Sequence, residues 1–398
     1  MAIKIHLREV MAMISRDMEG LLKDMAGWFP VVSVTGPRQS GKSTLVRAAF
    51  PDYAYVNLED PQQGRRALED PVGFIRNAPT PLIIDEAQRA PELFSMIQVV
   101  SDERGTTGQF ILTGSQNFLL LKGVSQSLAG RVGLLKLLPL SYGELTGADV
   151  APSVDDYMFK GGYPRLYNAS IPPSIYYSGY VDTYLERDIA GYLDVRNVAS
   201  FRTFLALCAQ NVGNLLNVSR LACDAGVAHA TAKAWLSMLE ASYILRLLRP
   251  YHANLRKRLT KTPKLYFCDT GLLCHLLHIE SREQLLSSDY LGPVFENLVV
   301  AEADKRHLNK GKSPELYFYR DDSKVEVDLL DSTDAAHPQA METKSSETYH
   351  GKYARHLRAV CDELGIAEDG RSVILRVQNS YQTPEANVVA ARDWLERR

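Results

Sequence analysis

The sequence predicts an α/β protein built on a phosphate-binding loop, followed by a helical middle and a second, smaller α/β unit. Three stretches predict this. A β-like run, Val31-Val32-Ser33-Val34, enters Gly36-Pro37-Arg38-Gln39-Ser40-Gly41-Lys42-Ser43 and then a helical pattern from Leu45 to Phe50, the strand–GxxxxGK[ST]–helix order of a P-loop. An apolar strand, Leu82-Ile83-Ile84, ends in Asp85-Glu86. Far downstream, two hairpin-like strands around Asp321-Asp322-Ser323 precede Glu342-Thr343-Lys344.

Composition bounds the reading. The 398 residues suffice for two or three domains, and 45% hydrophobic with 23% charged residues is an ordinary globular balance. A formal net charge of -2 excludes a polycation, so nucleic-acid binding would need a local patch. Five scattered cysteines form no CxxC pair or zinc-spaced cluster, which suggests reduced thiols and a cytoplasmic location. No apolar run reaches the length of a membrane span, and the charged first ten residues do not read as a signal peptide.

Within residues 1–150, Ile14 to Trp28 reads as an amphipathic helix leading into the P-loop strand. Gly36, Pro37, Arg38, Gln39, Ser40, Gly41, Lys42, Ser43 and Thr44 are the expected nucleotide-binding residues. Backbone N–H groups and the helix N-terminus would receive phosphates, Lys42 would reach the β- and γ-phosphates of ATP, and Ser43 would ligate Mg2+. Tyr53 to Leu58 reads as a strand and Glu59 to Pro81 as a polar segment punctuated by prolines. At the end of the next strand, Asp85 is the expected metal-side carboxylate and Glu86 the general base for the attacking water. Phe110 to Thr113 is a further strand, and Thr113 and Ser115 are candidates to hold that water or sense the γ-phosphate; a plain turn after a core strand is the alternative. Arg131 follows Ser127-Leu128-Ala129-Gly130 and is either a surface residue or a group that completes a neighbouring subunit's site.

Residues 151–198 read as helical and aromatic-rich, broken by Gly161-Gly162-Tyr163-Pro164. Residues 199–262 read as helix, helix, turn, helix and strand, with His229, Thr231 and Lys233 on the third helix. A basic set, Arg256, Lys257, Arg258 and Lys261, with Lys264 close by, is a candidate DNA-phosphate contact; a solvated loop is the plain alternative. In residues 263–398, strand alternation puts Glu342 and Lys344 on one face, and Asp328 lies on a preceding strand.

Several resemblances follow from these residues. The order P-loop, Asp85-Glu86, polar strand end and Arg131 is similar to AAA+ ATPases, which implies ATP hydrolysis and a homo-oligomer, such as a hexameric ring. Gly161 to Pro164 resembles the glycine-x-proline element of lid domains in signalling P-loop ATPases, which implies that Pro164 packs against adenine. Residues 199–262 resemble a winged-helix domain. Asp328, Glu342 and Lys344, with Glu296 one helix earlier, resemble a PD-(D/E)XK nuclease core, which implies a Mg2+ site. Taken together with Tyr266 to Gly271, Phe295-Glu296-Asn297 and Val325 to Asp328, the chain resembles prokaryotic AAA-type ATP-binding proteins with a C-terminal DUF4143 domain. The function so implied is an oligomeric, Mg2+-dependent ATPase acting on DNA, branched or forked DNA included, with the nuclease-like domain serving to bind it. A nucleotide-dependent signalling switch that binds protein partners and a metal-dependent endonuclease are the alternatives.

Overall fold

The computed structural model describes residues 14–115, 128–189, 198–251 and 262–397, with the backbone alone for 186–189. The N-terminal part is a five-stranded, fully parallel sheet in the order β2-β3-β4-β1-β5. Its strands are β1 (Val31–Thr35), β2 (Ala54–Asn57), β3 (Leu82–Asp85), β4 (Phe110–Gly114) and β5 (Val132–Lys136). The three central strands, β1, β3 and β4, are buried along their length, as expected of a parallel sheet covered on both faces. Helices α1 (Glu19–Trp28) and α2 (Lys42–Ala49) pack near one another on one side, and α3 (Leu93–Arg104) contributes to the other core cluster.

Two local readings are corrected. The first helix begins at Glu19, so Ile14 to Arg16 run outside it, toward the P-loop. The segment Glu59 to Pro81 carries two helices, Pro61–Glu69 and Pro71–Arg76. Each begins with proline at its first position behind an aspartate cap, Asp60 or Asp70, whose carboxylate accepts backbone N–H bonds. Proline there starts a helix rather than breaking it, because the N–H it lacks would have had no intrahelical partner.

The middle of the chain is helical: α4 (Val154–Lys160), α5 (Pro173–Tyr180), a π-helical continuation Val181–Ile189, then α6 (Val198–Gln210), α7 (Val218–Asp224) and α8 (His229–Ala241). Helix α8 buries Ala232, Trp235, Leu236 and Leu239 and exposes His229 and Lys233.

Strands β6 (Leu245–Pro250) and β7 (Lys264–Phe267) form an antiparallel pair after α8. They belong to an eight-stranded mixed sheet, β12-β13-β11-β10-β9-β8-β6-β7. Its remaining strands are β8 (Leu316–Arg320), β9 (Glu326–Asp331), β10 (Gln339–Lys344), β11 (Arg371–Leu375), β12 (Tyr381–Gln382) and β13 (Asn387–Ala390). β6 pairs in parallel with β8 through Arg249 and Pro250. The domain boundary expected at 262/263 therefore falls between two strands that pair with each other. Helices α9 (Thr270–Leu276), α10 (Leu291–Asn309) and α11 (Ala354–Leu364) complete the C-terminal half. Among the described residues, no helix is long and apolar enough to cross a membrane.

Helix α10 locks the two halves together. Glu302 and Lys305 form a buried ion pair at 2.7 Å. Glu302 accepts the Tyr142 N–H at 2.9 Å, and Lys305 donates to the Leu140 carbonyl at 3.1 Å. The Tyr157 hydroxyl lies 2.7 Å from Glu302 and 2.9 Å from Lys305. Lys305→Met leaves the Glu302 carboxylate buried without its counter-charge, so unfolding stability is expected to fall by about 3–5 kcal/mol in a denaturant titration, whereas an exposed pair such as Lys23–Glu19 costs about 0.5 kcal/mol or less.

Candidate functional site

The P-loop turns from the C-terminal end of β1 into α2, whose N-cap is Gly41 at φ 97°. That left-handed conformation is one glycine adopts without steric cost. The α2 N-terminus thus presents its free N–H groups toward the loop, an arrangement suited to anions. The Lys42 ammonium is buried and donates to the Gly36 and Pro37 carbonyls at 3.0 and 2.8 Å. Burial lowers its pKa to about 8, with the charges of Glu86 and Asp85 acting in the opposite direction. Ser40 Oγ is buried without a hydrogen-bond partner among the described residues.

Parallel pairing brings the ends of β3 and β4 together. Asp85 closes β3, and its carboxylate accepts from the Thr113 hydroxyl on β4 and, at 2.7 Å, from the Tyr55 hydroxyl on β2. Glu86 is left-handed at φ 55°. Its carboxylate accepts from Ser115 Oγ at 3.0 Å and from the Gln88 side-chain amide. Thr113 and Ser115 therefore engage the two acidic residues directly. Tyr55 and Gln88 are further members that the sequence reading missed. The only available signal for Gln88 was its place two residues after Glu86; Tyr55 had none, because its pairing depends on strand order.

The expected Mg2+ ligands, Ser43 and Asp85, are hard oxygen donors of the kind that ion takes. They fit a nucleotide-bound metal, as does the partnerless Ser40 hydroxyl in the same loop. Arg38 pairs with Glu59 at 3.1 Å, and Arg89 approaches the same carboxylate at 3.4 Å.

A cavity beside Gly41 is lined by Ile14, Arg16, Thr44, Leu45, Ala48 and Pro164. A Cβ built on Gly41 would lie 3.7 Å from the Pro164 ring, so the strap Gly161–Pro164 is next to the P-loop. Arg16, also missed in the sequence, is buried; it pairs with Glu144 at 2.9 Å and donates to the Ser40 and Leu138 carbonyls at 2.8 and 2.7 Å. A guanidinium with three fixed acceptors pins the P-loop from the side.

Arg131 lies elsewhere. Its carbonyl accepts from Val31 N–H at the start of β1, so about 16 Å of strand separates it from the P-loop of its own chain. Its side chain is exposed and bonds Asp102 at 2.6 Å.

In the C-terminal sheet, Lys344 bonds Glu342 at 2.6 Å and Asp328 at 3.4 Å. Asp328 also accepts from the Thr343 N–H and hydroxyl at 2.8 and 2.9 Å. Glu296 on α10 meets different partners, Lys264 at 3.0 Å and the Tyr266 hydroxyl. Lys264 also bonds Glu326 at 2.6 Å. Burial and the neighbouring Asp328 charge raise both Glu296 and Glu342 above the usual carboxylate range. Lys264 is thus buried against carboxylates, which corrects its placement with the surface-basic set. Among the described residues, no three His, Cys, Asp or Glu side chains converge as a metal-holding group. Of the residues expected at a nuclease-like site, Lys344 lies against Asp328 and Glu342, and Glu296 stands within electrostatic reach of both acids while bonding Lys264. Arg256, Lys257, Arg258 and Lys261 lie outside the described residues.

Comparison with known proteins places these parts. Residues 29–146 match an AAA domain model, 151–283 a domain of unknown function (DUF8612) and 291–394 a domain of unknown function (DUF4143). An uncharacterised protein of Mycobacterium tuberculosis is 34% identical over 360 residues, covering 88% of this chain and 78% of that protein. An uncharacterised protein of Haemophilus influenzae is 25% identical over 277 residues, 61% of this chain and 68% of that protein. Among solved structures, a Walker-type ATPase of Pyrococcus abyssi is similar with a TM-score of 0.44 and 15% identity, over 66% of this chain and 96% of that one. With its AAA domain at 29–146 and its DUF4143 domain at 291–394, the chain belongs to the family of AAA-domain proteins that end in DUF4143.

Proposed function

We propose that the protein is an Mg2+-dependent ATPase whose turnover drives its C-terminal half on DNA. The observation that carries the ATPase reading is the meeting of Asp85, Glu86, Thr113 and Ser115 at one edge of the sheet, within electrostatic reach of Lys42. Lys42 and the α2 N-terminus bind the β- and γ-phosphates. Ser43 and Asp85 hold Mg2+, which would neutralise developing phosphate charge. Glu86 accepts the proton of the attacking water once ATP has drawn it away from Ser115 and Gln88. Arg131, remote from its own P-loop, acts on the nucleotide of an adjacent subunit, which requires it to leave Asp102. The resulting assembly is a homo-oligomeric ring. The DNA part rests on the basic set Arg256, Lys257, Arg258 and Lys261, carried between β6 and β7.

A nucleotide-dependent switch that captures a protein partner is the second reading, favoured by Pro164 beside Gly41. A metal-dependent endonuclease is the third reading, resting on Asp328, Glu342 and Lys344 brought side by side.

Glu86→Gln is expected to lower ATP turnover by about 10²-fold or more while preserving ATP binding, and Lys42→Ala to abolish both; a phosphate-release assay beside equilibrium binding measures this. Undiminished turnover in Glu86→Gln rejects the assigned base.

The Lys42 pKa, lowered to about 8 in the folded chain, sets a second expectation. The ammonium is fully charged only below that value, so ATP affinity is expected to decline as the pH rises past 8. Calorimetry in buffers of different ionisation enthalpy should register proton uptake on binding at pH 8 to 9. Lys42→Arg should flatten this profile, because a guanidinium stays charged there.

Forked or duplex DNA should raise turnover and bind with an affinity that falls steeply with salt, and replacing the four basic residues by alanine should reduce that slope by about one unit per lost phosphate contact. Capture of a protein partner in the ATP state alone, with no response to any DNA, replaces this reading by the switch.

A further inference from the structure

The strap that carries Pro164 is held from the C-terminal half of the chain. Asp269 is buried two residues after β7, as the N-cap of α9. One carboxylate oxygen accepts the Gly162 N–H at 2.7 Å. The other accepts the Tyr177 hydroxyl at 2.7 Å and the Leu272 N–H at 3.0 Å, capping α9. Gly161, at φ 74°, passes so close that a Cβ there would collide with the Asp269 carboxylate. The Tyr167 hydroxyl fixes the Gly161 carbonyl at 2.6 Å. Two residues after Gly162, Pro164 reaches the cavity beside Gly41.

We propose that Asp269 is a positioning residue for the nucleotide, fixing the Gly161–Pro164 strap so that Pro164 closes on the adenosine end of ATP. This rests on the ATPase reading of the P-loop. Asp269 does not line the cavity beside Gly41; it reaches the strap through the Gly162 N–H, with the Tyr177 hydroxyl beside it also bonding the Lys160 carbonyl at 2.9 Å. A carboxylate bonded by three donors is stiff, and its bonds to charged oxygen are stronger than neutral ones. Asp269 therefore ties the strap to β7 and α9, while the Gly162 carbonyl accepts the Leu140 N–H at 2.7 Å and ties it to the chain after β5. β7 is itself clamped to α10, where the Asn297 side-chain amide donates to the Phe267 carbonyl at 2.9 Å and accepts the Phe267 N–H at 2.7 Å.

The test separates the adenosine end of the ligand from the phosphate end. Full-length wild type, Asp269→Asn, Asp269→Ala and Lys42→Ala are titrated with ATP and with inorganic tripolyphosphate, and their melting temperatures are recorded. Asp269→Ala should weaken ATP about tenfold or more and leave tripolyphosphate affinity unchanged, with Asp269→Asn intermediate because one acceptor remains. Tyr177→Phe, which keeps the bond to Gly162, should change ATP affinity less than Asp269→Ala. Unchanged ATP affinity in Asp269→Ala, or an equal loss for both ligands, overturns the positioning role. A wild type that binds neither ligand instead removes the ATPase reading on which the role rests.

Discussion

The structure depends on charge buried across the middle of the chain. Glu302 and Lys305 sit on one helix, yet their hydrogen bonds end on Leu140, Tyr142 and Tyr157. Removing an ion pair from water costs several kcal/mol per ion unless nearly every polar site is met. Only the native approach of α10 to the end of the N-terminal sheet meets them. Apolar contact alone would allow the halves to slide; this network does not. Arg16 and Glu144 repeat the principle on the other side, where a buried pair ties the segment before α1 to the P-loop and the chain after β5.

Within that frame, the nucleotide site is assembled from distant sequence. The P-loop and Asp85-Glu86 are N-terminal, the strap is central, and the strap's anchor, Asp269, caps the helix that follows β7 of the second sheet. The charged residues of the site are each engaged by protein groups. Glu86 is engaged by Ser115 and Gln88, Asp85 by Thr113 and Tyr55, and Lys42 by carbonyls of its own loop. Each of these contacts is a group that a phosphate or water would have to displace or share.

The parts legible in the sequence were the local ones. Strand, P-loop and helix are contiguous, so the order of residues alone describes them, and the same is true of Leu82 to Glu86. Three of the helices that fell short or went unseen have a physical reason. Ile14 to Arg16 share the apolar rhythm of α1 but spend it lining a cavity, and Pro61 and Pro71 mark helix starts that look like breaks unless Asp60 and Asp70 are read as caps. Arg16, Tyr55 and Asp269 were silent because their partners lie 128, 30 and 107 residues away. Lys264 misled for a related reason. Beside Arg256 to Lys261 it looks like surface charge, but β7 is buried on both faces and Lys264 meets Glu296 and Glu326 there.

The continuity of the second sheet bears on how such proteins can be divided and recombined. Family models split the C-terminal half between 283 and 291, but β6 and β7 lie before that split and β6 pairs with β8 after it. A segment starting at residue 291 would leave the β8 edge unpaired and Glu296 and Glu326 without Lys264. Bare strand edges invite self-association. A gene fusion that transplants only the second matched region would therefore carry an unfinished sheet.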